Sequence, residues 1–469
     1  MVQFNSFYGC GQCEQKAITV AKGNGTVRVF PFANPPARIR SDGDIAQQAR
    51  QAVETGNSEK GVKGPSAVAS IPFFSVAKGF VTDYMHCVLL GVVRSMLNLW
   101  VDSSYHQSPW YIGTRVRDID QRLLSVQPPN IITRTPRSLT TRKYWKASEY
   151  RTWLLWYAIP VLQGILQTPY LQHFMLLCIS IYLLVSRSVS KRNVLLAKHL
   201  LDSYVEKVQT LYGTEHCSFN VHQLIHLPLR VQRWGPLWVY SAFPFEDTNQ
   251  ILKQMIHSTQ AAHLQVVGAL AVTRKLKNFT QQVDGDEEAI HLAAKVSGKR
   301  TSRNQTRLDA DCSFVDNGSK EVLEGPASEA AFRFIGTPMD HEVFVHKRAV
   351  VGSWMVHSRR YEQKGDNQQL KRNNSTVYFM DGPQLKIGKV EYFFKDGDQG
   401  YAIINRLNST SQKFVHQESK SKMEQLTCVR QTNDLIVVKL SSIVETGIWM
   451  EIADKIIIGR LPNIYEYNL

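Results

Sequence analysis

Phe219-Asn220-Val221-His222-Gln223-Leu224-Ile225-His226-Leu227 places two histidines at i and i+4 of a helical segment. Far upstream, Phe7-Tyr8-Gly9-Cys10-Gly11-Gln12-Cys13 places two cysteines on a glycine-bearing turn. A helix presents positions i and i+4 on one face, and Zn²⁺ takes four N or S ligands in a tetrahedron. Together the pairs supply a complete zinc shell: Cys10, Cys13, His222 and His226. About 210 residues separate them, so the metal would join distant parts of the chain rather than fold a small finger. Each pair alone is weaker. A solitary C-x-x-C is also compatible with a redox dithiol or coincidence, and paired helical histidines are often packed or surface residues. A zinc-protease centre is excluded, because that motif needs Glu directly after the first His and Gln223 stands there.

Working outward, the 469 residues are enough for two or three domains and a large core. A net charge of +15 and a pI near 9.4 favour a polyanionic partner, nucleic acid being the commonest. Seven scattered cysteines, an odd count, argue against a disulfide framework and for a reducing compartment. The N-terminus has neither the charged nor the apolar region of a secretory signal. The most apolar run, Phe174 to Val185, is too short to span a bilayer and predicts a buried helix, so no membrane partner is expected.

The first 82 residues read as loops and short strands, with a strand at Thr26 to Phe30 and an extended connection over 34–70. From Asp83 to 276, apolar spacing predicts helices near 83–100, 114–126, 147–166, 170–186, 191–212 and 216–229. A last long helix runs from Glu246 to about Leu276 and buries Ile251, Leu252, Met255, Ile256, Leu264, Val267 and Leu270. Residues 277–340 are expected to form a flexible linker that includes the basic cluster Lys299 to Arg303. Residues 341–469 alternate strand-like runs with Asp-Gly turns and predict a small β-barrel-like domain. The fold class expected is therefore α+β.

Three further groups carry candidate chemistry. Asp83 opens a strong helix with His86 one turn on, a pattern that helix capping explains by itself. Glu246 lies in the first turn of a helix, where acidic residues complement the dipole, but in an aromatic setting that calls for a partner or a metal. Arg134, Arg137, Arg142, Lys143 and Lys146 interleave with Tyr144 and Trp145, a combination that suits phosphates and exposed bases.

Taken in order, Phe7-Tyr8-Gly9-Cys10-x-x-Cys13, Gly79-Phe80-Val81-x-Asp83-Tyr84-Met85-His86, Phe219-Asn220-x-His222-Gln223-Leu224-x-His226-Leu227, Trp234-Gly235-Pro236-Leu237-Trp238 and Phe245-Glu246 resemble CACTA-type (En/Spm-like) DNA transposases. The resemblance covers about residues 1–275. The clasp is also similar to that of the V(D)J recombinase catalytic subunit. The resemblance implies an RNase H-like core, of which residues 1–82 would be a remnant, with a mainly helical insertion before the final acid. It makes Glu246 the last acid of a D-D-E triad, the Cys/His set a structural zinc site, and Asp83 and His86 the family's D-x-x-H element beside the active site. The family's two catalytic aspartates precede the cysteine pair, and residues 1–9 contain no Asp. Two-metal strand transfer needs several carboxylates, so the chain as written is expected to be catalytically inactive. Mg²⁺ or Mn²⁺ would belong only to a complete, active form. The expected partner is DNA, and the residence nuclear. The C-terminal part has a weaker likeness to SH3- or BAH-like modules, implying chromatin proteins as further partners, with homo-oligomers left open.

Overall fold

Thr168–Leu184 is a strongly apolar helix, and it is buried on nearly every side. It packs against Lys191–Tyr212, whose inner face is Ala197, Leu200, Leu201, Tyr204, Val205 and Val208. The computed structural model describes residues 1–282, 288, 292, 305–363 and 371–467. Around the helix pair stand Arg94–Val101, Val116–Leu124, the segment Ala147–Leu162 and Leu227–Trp234. Helices therefore form where apolar spacing places them. Two of them contain π-helical turns, Met85–Val93 and Trp153–Tyr157.

Several expectations are corrected. Residues 34–70 are not simply extended: Asp42–Thr55 is a helix, closed by a Ser41–Asp44 capping box and by Gly56 in the left-handed conformation. Its buried face is Gln48, Ala49 and Ala52, too small and polar to show as apolar periodicity. The long helix after Glu246 is two helices, Phe243–Gln254 and Ala262–Gln282, parted by a turn in which Ala261 has φ +52. Its apolar residues are not buried: Phe245, Ile251, Ile256, Leu264, Val267 and Leu270 are all exposed. Much of the expected linker 277–340 is also structured. Ordered strands begin at Thr306, and Gly325–Ile335 is a helix seated by Ala327, Ala330 and Ala331 on Tyr401, Ile403 and Val437. Lys299 to Arg303 lie outside the described residues.

The C-terminal strands form an open antiparallel sheet of nine strands and a second of four, not a closed barrel. One edge strand, Ile448–Ile452, is covered: Trp449 and Gln127 of the helical part exchange backbone bonds at 2.8 and 3.2 Å. Covering by the helices removes the unpaired edge that closure would otherwise have to remove. The N-terminal 82 residues contribute one two-stranded ribbon, Ile18–Lys22 with Gly25–Val29. Helical and β parts also share one core, in which Trp100, Trp153 and Phe174 are continuous with Phe379, Ile404, Met450 and Ile457. Polar ties reinforce the seam. Trp156 Nε1 donates to the Arg460 carbonyl at 2.9 Å, and Arg372 donates to the carbonyls of Pro129, Ile132 and Thr133.

Within this core His173 stacks on Tyr204, with ring centroids 4.1 Å apart, and donates from Nε2 to the Tyr204 carbonyl. Burial pushes its imidazole down to about 4. An unfolded His takes its proton near 6.5, so between those values the unfolded chain binds more protons and stability falls as pH falls. From pH 7 to pH 5 this histidine alone is expected to remove about 2 kcal/mol. Urea unfolding of wild type and His173→Gln at both pH values checks it: the variant should lose correspondingly less, and an equal loss would refute the assignment.

Candidate metal centre

The cysteine turn and the histidine helix meet in the interior, and all four ligand residues are buried. Ser218 caps the helix start by accepting from Val221 N, which fixes where the two imidazoles point. Cys10 Sγ lies 3.5 Å from His226 Nε2, and Cys13 Sγ lies 3.4 Å from His222 Nε2. The two Nε2 atoms are 3.3 Å apart. A zinc tetrahedron with Zn–S of about 2.3 Å and Zn–N of about 2.05 Å has S···N edges of about 3.5 Å and N···N edges of about 3.3 Å. Three edges of the Cys10, Cys13, His222 and His226 set therefore match such a shell, and all four donor atoms lie within 4.8 Å of one another.

The surroundings suit metal ligands as well. The hydrogen bond from Cys13 holds the Cys10 thiol well below the ordinary range, which favours the thiolate that ligates a metal. Burial lowers His226 and keeps it neutral, the form that ligates. Arg40, itself buried, donates from Nε to the carbonyls of Cys10 and Cys13 at 3.0 Å each and from Nη2 to the Lys60 carbonyl. Gln223 Nε2 donates to Cys10 Sγ at 3.3 Å. So the residue that excludes the protease reading instead braces a ligand sulfur. Arg40 gives no sign in the sequence, where it is one arginine in a loop.

From this clasp a chain of polar contacts leads toward Glu246. Arg230, fully buried on the helix after His226, donates to the carbonyls of Lys78 and Ala77, and Trp234 Nε1 also donates to Lys78. That fixes the segment leading into Asp83. Asp83 Oδ1 accepts from Met85 N and from Ala242 N at 2.9 Å. Its Oδ2 accepts from His86 N and meets His86 Nδ1 at 2.6 Å. One carboxylate thus caps two helices, the second being the helix that carries Glu246.

Glu246 is exposed, so its aromatic setting does not by itself demand a partner or a metal, and it lines a groove of about 900 Å³ together with His86, Arg134, Lys146, Arg151 and Lys253. The other predicted cations are engaged elsewhere. Arg137 forks onto Glu149 at 2.5 and 2.7 Å, Arg142 bonds Asn98 and pairs with Asp102, and Lys143 lies over the Tyr144 ring. The interleaved run is therefore no continuous basic face. Arg134 and Lys146 form no ion pair among the described residues. No helix among the described residues is long and apolar enough to cross a membrane. Neither a protein-family model, nor a curated protein, nor a solved structure matches this chain.

Proposed function

We propose that this chain is a transposase-derived DNA-binding protein, braced by a structural zinc ion on Cys10, Cys13, His222 and His226, that holds DNA without cutting it. The observation that carries this reading is the continuity from clasp to groove. Arg230 and Asp83 relay the position of the histidine helix to the helix bearing Glu246, opposite free cations. In this reading residues 1–82 belong to an RNase H-like core and Glu246 is one of its acids. Three observations favour binding over cleavage. Both oxygens of Asp83 are spent on helix capping, and Glu466, another carboxylate at the groove, is ion-paired with Arg151. Asp247 follows Glu246 directly, and neighbours on a helix do not face each other to clamp a metal pair. Nuclear residence follows from the proposed partner.

Fluorescence anisotropy of duplex DNA against salt tests the reading. Three phosphate contacts give a log–log slope of about −2.7, so affinity should fall about 40-fold from 50 to 200 mM salt. Binding that ignores salt, or no binding, would refute it. That outcome leaves a zinc-stapled interaction scaffold, a reading favoured by the exposed apolar residues from Phe245 to Leu270.

A further inference from the structure

Lys389 lies on the long strand Gln384–Asp396 of the nine-stranded sheet, opposite Asn405. Its Nζ sits 3.3 Å from the centroid of the buried Trp449 ring and has no hydrogen-bond or ion-pair partner among the described residues. An indole face offsets part of the cost of burying an ammonium but supplies no oxygen for its three N–H groups. Burial, with repulsion from Arg359, pushes the amine down to about 8, against the pull of Glu362, Glu451 and Glu391. Those four are the charges that act on it most strongly, from the short helix Arg359–Glu362, the strand itself and Ile448–Ile452. At about pH 7.5 roughly a quarter of it is then neutral amine, against about one part in a thousand for an ordinary lysine near 10.4.

Beside the amine is a cavity of about 30 Å³ lined by Lys389, Arg359, Glu391, Asn405, Leu407 and Gln431. Arg359 and Gln431 are exposed, so small molecules reach it from solvent. N–H donors dominate its polar lining. Arg359 donates from Nη1 to Glu391 at 3.2 Å, and its other N–H groups have no acceptor among the described residues. Asn405 accepts at Oδ1 from Thr432 at 3.5 Å, while its amide nitrogen and that of Gln431 donate to nothing among the described residues. A neutral amine beside unused donors is set to capture a small electrophile whose product is an anion. The space admits a molecule of about three heavy atoms. An anionic product selects carbon dioxide over an aldehyde, whose imine would be neutral or cationic.

We propose that Lys389 is a carbamylation site, its amine adding reversibly to carbon dioxide and the carbamate being held by Arg359, Asn405 and Gln431. The nitrogen lone pair forms the N–C bond, one C–O π pair moves onto oxygen, and an N–H proton leaves to water. Dissolved carbon dioxide thereby reverses the charge at this point of the sheet. The site shares no lining residue with the Glu246 groove, and its occupancy does not depend on DNA.

The test equilibrates the full chain with isotope-labelled bicarbonate at mildly alkaline pH and follows the carbamate by carbon NMR. The carbamate is then trapped by O-alkylation and mapped by peptide mass spectrometry. The Met1 α-amine also reacts with carbon dioxide, so the mapped peptide, not the NMR signal alone, assigns the site. Lys389 should carry the trapped group at least about tenfold more often than any other lysine. Arg359→Gln should lower that fraction about threefold, since it removes both a partner of the carbamate and a repulsion that favours the free amine. Glu391→Gln should raise it for the opposite reasons. Lys389→Arg should abolish it, and Lys439→Arg, which alters an exposed position of the same sheet, should leave it unchanged. Trapping spread evenly over the exposed lysines would overturn the assignment. So would a Lys389 fraction that Arg359→Gln does not lower and Glu391→Gln does not raise. Mapping on wild type decides the matter even where a variant misfolds.

Discussion

Cys10→Ser is expected to release the metal. Zinc content measured by mass spectrometry should drop from one ion per chain to less than about a tenth. Serine keeps the size of the side chain but offers no thiolate, and three remaining ligands leave an open shell. The physical consequence is local before it is global. The large core lies among helices and strands that do not include the cysteine turn, so the chain stays folded. What loosens is the N-terminal segment that Arg40 ties to the cysteine carbonyls and the His222 helix, along with the Arg230 contact that follows it. Hydrogen exchange should therefore accelerate in residues 10–17 and 218–231, while residues 170–184 keep their protection. His226→Ala and treatment of wild type with a strong chelator should give the same pattern. Cys178→Ser, a buried cysteine far from the clasp in sequence, should leave zinc content intact. A metal-free wild type with undisturbed protection around His222 would sink the clasp.

Trp156→Ala should cost about 3–5 kcal/mol, the usual range for emptying a fully buried large aromatic. Its indole also donates to Arg460, and the carbonyl left behind would lack that partner. The informative part is the shape of the transition. Trp156 belongs to the core that runs from the helices into the sheet, so helical and β signals should move to lower denaturant together. Circular dichroism at the helical band would follow the helices, and hydrogen exchange of the strand peptides across the same titration would follow the sheet. Separate transitions, with only one displaced, would mean that the parts fold independently and that the shared core contributes little.

Much of the helical region was legible because its apolar residues recur at helical spacing and the core rewards that spacing directly. The Cys/His cluster was legible for another reason: Cys-x-x-Cys and His-x-x-x-His, ambiguous singly, together make a ligand set, and the fold brings the pairs together in the interior. Three kinds of feature were not. The helix Asp42–Thr55 buries glutamine and alanine, which leave no apolar trace. The helix Gly325–Ile335 reads as linker because alanines do its packing, and the strands from Thr306 because each is only two to four residues long. The apolar stripe from Ile251 to Leu270 shows the opposite failure, periodic in sequence yet exposed in the fold. Among the site residues, charge alone could not say that Arg137 and Arg142 are committed to Glu149 and Asp102 while Arg134 and Lys146 remain free. That distinction depends on partners distant in the chain or on the opposite side of a turn.

The separation between the two halves of the clasp also sets a clock. Cys13 and His222 are 209 residues apart. At about 5–20 residues per second, synthesis delivers the thiols about 10–40 s before the imidazoles that complete their shell. A zinc finger can wait for its ion and then fold around it. With the proposed zinc clasp, this chain would do the reverse, bringing its helices together first and admitting the ion as a late seal. During that interval Cys10 and Cys13 are a vicinal dithiol open to oxidants, so the yield of sealed protein should depend on how reducing its surroundings are while it is being made.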